Sequence, residues 1–340
     1  MALQALWFVL WGFLWAVYFM LDGFDFGVGM LRMFLSRDET ERRITHTAIG
    51  PVWDGNEVWL ITAGGATFAA FPAVYASMFS FLYLPMLLIL FSLIIRGIAI
   101  EFRPKHESAR WRSGWDWALA VTSFTAPLVL GLGFGNIFQG LIFDSTGWHG
   151  SFRELFNPFG LLTALLFIAL FVHHGARWLA FKTEGDLHEK SARLAGVLWF
   201  VVCAVAAGFI VAACFTTRLY DNYLAHPVLL IVPVLAVAAL VGTLALKARP
   251  LPAFLCSCAT ILLLVASALA GLFPSLLPSS LDPGASLTAY NASSSQYTLR
   301  LMAIVALVFV PLVIVYQLFV YRFFRAKVRK ADVGEGAAGY

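Results

Sequence analysis

Nine apolar stretches of about 20 residues or more dominate this chain and decide what it can become. The hydrocarbon core of a bilayer is ~30 Å thick and a helix rises ~1.5 Å per residue, so one crossing needs about 20 apolar residues. The stretches fall at about 3–30, 53–71, 78–100, 115–141, 159–179, 194–214, 228–246, 251–272 and 299–320. A membrane barrel would show alternating segments of about 10 residues instead. Only 12% of the 340 residues are charged, against roughly 25% in a soluble domain, which excludes a water-facing globule and a disordered chain alike. The expectation is an all-α polytopic membrane protein. Residues 1–330 should form a single transmembrane domain and residues 331–340 a disordered cytoplasmic tail. The first stretch lacks a basic flank and carries Asp22 and Asp25, so it reads as a retained span and not a cleaved leader.

The basic residues test the count, because cytoplasmic segments carry the excess of Lys and Arg. They alternate cleanly. Arg32, Arg37, Arg42 and Arg43 follow the first stretch, Arg96, Arg103, Lys105, Arg110 and Arg112 the third, and Arg177, Lys182, Lys190 and Arg193 the fifth. Lys247 and Arg249 follow the seventh, and a cluster from Arg322 to Lys330 follows the ninth. Of 23 basic residues only Arg153, Arg218 and Arg300 fall on the other side. The N-terminus is therefore expected outside and the C-terminus inside, which requires an odd number of spans.

A charge at bilayer depth is costly and marks a functional candidate. Asp22 and Asp25 share one face of the first span at i,i+3, and Asp54 and Glu57 do the same at the cytoplasmic start of the second. Burial can bring carboxylates into the range where they load and release protons near neutrality. The structural alternatives are an ion pair of Asp25 with Arg32 or Arg96, and a plain acidic helix start for Asp54 and Glu57. The seven histidines contain no Glu-x-x-His or His-x-x-x-His pattern; His173 and His174, adjacent in sequence, read as interfacial polar residues and not as haem or metal ligands. The four cysteines lie in apolar stretches and predict no disulfides. Tryptophans at the span ends, Trp7, Trp11, Trp53 and Trp59 among them, read as interface anchors. Asn136 and Gln139 sit among glycines, where a buried amide needs a partner. The polar stretch at 273–297 reads as an ordered outer cap.

Taken in order, Asp22-Gly-Phe-Asp-Phe-Gly-Val-Gly-Met30, Thr40-Glu-Arg-Arg43, Pro51-Val-Trp-Asp-Gly-Asn-Glu-Val-Trp-Leu-Ile-Thr-Ala-Gly-Gly65, Trp115-Asp-Trp117, Gly133-Phe-Gly-Asn136 and Asn157-Pro-Phe-Gly160 resemble subunit II of the cytochrome bd-type quinol oxidases. The resemblance continues through Phe273-Pro-Ser-Leu-Leu-Pro-Ser-Ser280 and Asn291-Ala-Ser-Ser-Ser-Gln296 and covers almost the whole chain. It implies nine helices arranged as two four-helix bundles plus a peripheral one, in a bacterial or archaeal cytoplasmic (inner) membrane. It also implies a larger partner, subunit I, that ligates haems b558, b595 and d and oxidises quinol, so that the complex reduces dioxygen to water and adds to the proton motive force. Some members add a small accessory transmembrane subunit, and some hold a structural quinone in this subunit. No catalytic, cofactor or metal ligand is expected in this chain itself. The resemblance places Asp54 at the cytoplasmic entrance of a proton path, with Glu57 and Asp25 as accessories. The segment at 215–227 is short where some members carry a long outer insertion. The rival reading is a proton-coupled secondary transporter using the same carboxylates, although no internal repeat of the kind such folds show is visible. A further rival is a purely structural subunit.

Overall fold

The computed structural model describes residues 1–333. Twelve α-helices run in the order α1 (Ala2–Leu35), α2 (Glu39–Ile49), α3 (Trp53–Ala70), α4 (Pro72–Phe81), α5 (Tyr83–Phe102), α6 (Ala109–Gln139), α7 (Pro158–Lys182), α8 (Gly185–Thr216), α9 (Asp221–Ala225), α10 (Ile231–Ala245), α11 (Pro250–Leu272) and α12 (Gln296–Phe323). Among the described residues, eight are long and apolar enough to cross a membrane, and the bent pair α3–α4 makes a ninth. The second expected span is the one that does not qualify alone. Its first turns hold Asp54, Asn56 and Glu57, and α4 leaves its far end at 120°. The expected third span at 78–100 is correspondingly shifted: Met78 still belongs to α4, and α5 begins at Tyr83.

Helix α1 is the hub. It packs against α3, α6, α7 and α11, while α5 joins α6, α8 joins α7, and α10 joins α11. The result is one four-helix group of α1, α3, α5 and α6, a second of α7, α8, α10 and α11, and α12 lying lightly against α1 and α3. Small residues set the seams, since close approach is what holds helices together where lipid offers no hydrophobic drive. A side chain at Gly27 would run into the Phe171 carbonyl and Gly175, and one at Gly175 into the backbone of Gly27 and Val28. Gly131 and Gly135 meet Ala164 and Thr163 in the same way.

The outer face is capped by two loops that hydrogen-bond to each other. Short hairpins β1 (Phe143–Asp144) with β2 (Gly147–Trp148), and β3 (Ser275–Leu277) with β4 (Leu287–Thr288), stiffen them. Leu141 donates to the Pro278 carbonyl at 2.9 Å and Ser280 returns a bond to the Leu141 carbonyl at 2.9 Å. Ser294 then donates through its amide and hydroxyl to the Ala70 and Ala69 carbonyls at 2.8 and 2.6 Å, satisfying the last turn of α3, whose carbonyls have no partners within the helix. Asn136 finds the partners its burial demands: it donates to the Leu132 and Leu155 carbonyls and accepts from Asn157.

One expectation fails here for a physical reason. Trp7, Trp11 and Trp59 are buried, not interfacial, because α1 is enclosed on most sides; Trp7 and Trp11 donate to the Leu299 carbonyl and the Thr67 hydroxyl. The stretch expected as a free tail begins with an ordered turn, Lys330–Val333, whose last carbonyl accepts a 3.4 Å bond from Arg43. Residues 334–340 of that expected tail lie outside the described residues.

Candidate functional site

The acidic side chains at the cytoplasmic ends of α1, α2, α3 and α6 gather in two clusters, with Asp54 outside both. The first is built on α1. Asp22 and Asp25, one turn apart, both point inward and are 0% and 1% exposed. Arg96 of α5, equally buried, donates from Nη2 to Asp22 Oδ1 and to Glu57 Oε1, at 2.5 Å each, and from Nε to Glu57 at 3.0 Å. Its guanidinium rests 4.1 Å from the centre of the Phe26 ring. Asp25 takes a different partner, the Asn56 amide at 2.7 Å. Asn56 also accepts from Gln317 Nε2 at 3.0 Å and from the Tyr321 hydroxyl at 2.7 Å, so one amide ties α1, α3 and α12 together. Asp22 Oδ2, Asp25 Oδ1, Tyr18 Oη and Arg96 Nη1 have no hydrogen-bond partner among the described residues.

The expected pairing of Asp25 with Arg32 or Arg96 is therefore corrected. Arg96 chooses Asp22, and Arg32 turns to the second cluster, where Asp116 of α6 is fully buried, forms an ion pair with Arg32 Nη2 at 2.9 Å and accepts from Arg103 Nε at 2.6 Å. Arg42 of α2 adds a 3.3 Å contact. Glu39, at the start of α2, forks to Arg103 at 3.1 and 2.9 Å and reaches Arg43 and Arg112. Partial burial alone would raise the Glu39 carboxyl, but the hydrogen bonds and charges of its arginines outweigh this and hold it below its ordinary value. Burial, aided by the charges of Arg32 and Arg103, pushes the His46 imidazole of α2 well below its ordinary value. On the outer face, hydrogen bonds from Thr146 and His149 hold Asp144 below the usual carboxylate range.

Asp54 stands apart. It is exposed on the first turn of α3 and makes no hydrogen bond or ion pair among the described residues. Glu57, one turn deeper on the same helix, has 20% of its side chain exposed and is held by Arg96. The carboxylates thus pass from open to closed along α3 and across to α1.

His173 and His174 are interior, not interfacial. His174 has both ring nitrogens engaged, by Ser257 at 2.7 Å and the Met20 carbonyl at 2.9 Å, and stacks on Phe254; His173 Nε2 accepts from Arg177. An axial haem ligand needs a ring nitrogen free for iron, which His174 does not offer. Among the described residues, no three His, Cys, Asp or Glu side chains gather as a metal site. Asp116, Asn56, Gln317 and Tyr321 escaped the reading of single charges. Asp116 had a signal, an acid between two tryptophans inside an apolar stretch; Gln317 and Tyr321 had none beyond being polar in the last span.

Two helix groups packed about one long helix, with buried carboxylates and arginines at the cytoplasmic end, define a multi-pass membrane subunit with an internal polar cluster. A family model described as cytochrome bd terminal oxidase subunit II matches residues 3–324. Cytochrome bd-I ubiquinol oxidase subunit 2 of Escherichia coli (strain K12) is 38% identical over 365 residues, covering 97% of this chain and 96% of that protein. Cytochrome bd ubiquinol oxidase subunit 2 of Bacillus subtilis (strain 168) is 36% identical over 328 residues, covering 96% and 97%. In fold the chain is similar to a chain of the bd oxidase from Geobacillus thermodenitrificans, with a TM-score of 0.79 at 21% identity over 95% of this chain and 99% of that one. The chain belongs to the family of subunit II of the cytochrome bd quinol oxidases, and is thus one subunit of a membrane-bound oxidoreductase complex that carries haems and includes a subunit I. That membership displaces the transporter reading, and it makes the chain homologous to bacterial inner-membrane proteins.

Proposed function

We propose that this subunit scaffolds the haem-bearing subunit I and admits protons from the cytoplasm through Asp54, while quinol oxidation and dioxygen reduction take place in the partner. One observation carries the reading: the graded burial of carboxylates from exposed Asp54, through Glu57, to enclosed Asp22 and Asp25. Charge in a bilayer is tolerated where it is paired or wetted, and Asp54 is the member of the series that meets the outside of the subunit. Asn56 orients Asp25, and Arg96 is shared between Asp22 and Glu57, so that a proton arriving at Asp54 faces more carboxylates than the one fixed cation can balance. Haems b558, b595 and d, when bound, supply the electron transfer and oxygen chemistry; the engaged His174 favours their ligation by subunit I. Asp25 and Glu57 act as accessories to Asp54, not as separate entrances.

The test is Asp54→Asn in the purified complex. Quinol oxidase turnover and proton uptake should both fall, and Asp54→Glu should restore them. Unchanged turnover and uptake in Asp54→Asn would leave the subunit a scaffold only.

A further inference from the structure

The second cluster carries more positive charge than its carboxylates answer. Arg32 and Arg103 are 1% and 3% exposed and, with Arg42, surround the single buried carboxylate of Asp116. Both Asp116 oxygens are already shared: Oδ1 between Arg32 Nη2 and Arg103 Nε, Oδ2 between Arg103 Nη2 and Arg42 Nη1. The next nearest acid, Glu39, is divided among Arg43, Arg103 and Arg112. Glu41 is taken by Lys190 at 2.7 Å and by the Arg37 amide at 2.7 Å. What is left over is a set of buried nitrogens with no hydrogen-bond partner among the described residues: Nε, Nη1 and Nη2 of Arg32, Nε of Arg42 and Nδ1 of His46. His46 lies close enough to Arg32 and Arg103 to feel both charges. Buried guanidinium donors left unmade are expensive, and an unpaired buried cation more so. Water could satisfy the donors but not the charge.

We propose that the junction of α2, the end of α1 and the start of α6 is an oxyanion site that takes a phosphate group. Tetrahedral phosphate oxygens match several guanidinium forks at once, and a charge of −1 to −2 answers the surplus. Arg32 and His46 form its floor. Arg42 and Arg112, with 29% and 19% of their side chains exposed, form its rim. The site lies at the cytoplasmic ends of α1 and α5, the depth of lipid headgroups, so the phosphate comes either from an anionic phospholipid or from free inorganic phosphate.

The experiment uses the whole oxidase complex in nanodiscs and reads its thermal midpoint. Phosphatidylglycerol is compared with phosphatidylcholine, and inorganic phosphate with chloride at equal ionic strength in phosphatidylcholine discs. One of the two comparisons should raise the midpoint, and which one does identifies the source. Arg42→Gln, which leaves Asp116 paired with Arg32 and Arg103, should weaken the effect about tenfold in ligand concentration, the loss expected of one charged hydrogen bond. Arg32→Gln should abolish it, while Lys247→Gln, an exposed cytoplasmic lysine elsewhere, should leave it at full size. The site does not exist if neither comparison shifts the wild-type midpoint, if Arg42→Gln keeps the whole shift, or if Lys247→Gln lowers it equally.

Discussion

Removing Arg96 should do more damage than removing the acid it holds. Asp22 is fully enclosed, and Arg96 Nη2 stands 2.5 Å from its Oδ1 while also holding Glu57. At an effective dielectric of ~20, opposite charges ~4 Å apart gain about 4 kcal/mol. Breaking a buried pair from one side costs about 3–5 kcal/mol, because the remaining charge is stranded. Arg96→Gln strands Asp22 and should cost that much. Asp22→Asn leaves Arg96 its second partner, Glu57, and should cost about 1–2 kcal/mol, nearer the price of one hydrogen bond to a charged group. The double variant strands nothing on α1 and should be less damaged than the two losses added together, by about 2 kcal/mol or more. Detergent-driven unfolding of the purified complex in mixed micelles, run on all four proteins, gives the cycle. Additivity to within about 0.5 kcal/mol would mean that the two groups do not interact, and the assignment of Arg96 as the fixed cation of this cluster would fall.

Two further outcomes follow from the packing and from α2. Gly27→Ala should prevent α1 and α7 from closing and sharply lower the yield of assembled complex, because a methyl group there meets the Phe171 carbonyl and Gly175 Cα; Gly64→Ala, with nothing within 4 Å, should be tolerated, and membrane extraction yields compare them. His46 is buried neutral, with a folded value well below its ordinary 6.5. Below about pH 6.5 the unfolded chain therefore binds a proton that the folded chain refuses, so stability is lost as pH falls, by up to ~1.4 kcal/mol per pH unit. Thermal midpoints between pH 7 and pH 5 should show a steeper decline in wild type than in His46→Gln, and parallel declines would contradict the neutral burial of this imidazole.

Much of the architecture was readable because bilayer thickness imposes one length on every span and the distribution of arginines imposes one orientation. The break after Ala70 was readable, since Pro72 cannot continue a helix and the second stretch ends at 71, but the 120° turn and the short α4 that follows it were not. The carboxylates were legible singly, as costly charges in apolar stretches, but their partners were not. Helix periodicity places Arg32 on the face of Asp25, yet Arg32 reaches Asp116, some eighty residues on, because α6 packs beside α1 and brings that acid within range. The tryptophans failed for the same reason: an indole at a span end anchors to the interface only if no other helix or loop covers it.

The route through Asp54 and Asp25 is tested most directly by proton uptake during the reaction of the reduced complex with dioxygen, measured in Asp54→Asn, Asp25→Asn and the double variant. Groups in series on one path predict that each single variant slows uptake and that the double is no slower than the slower single. Losses that multiply in the double variant would place the two carboxylates on separate paths, and an unslowed Asp54→Asn would remove the entrance altogether.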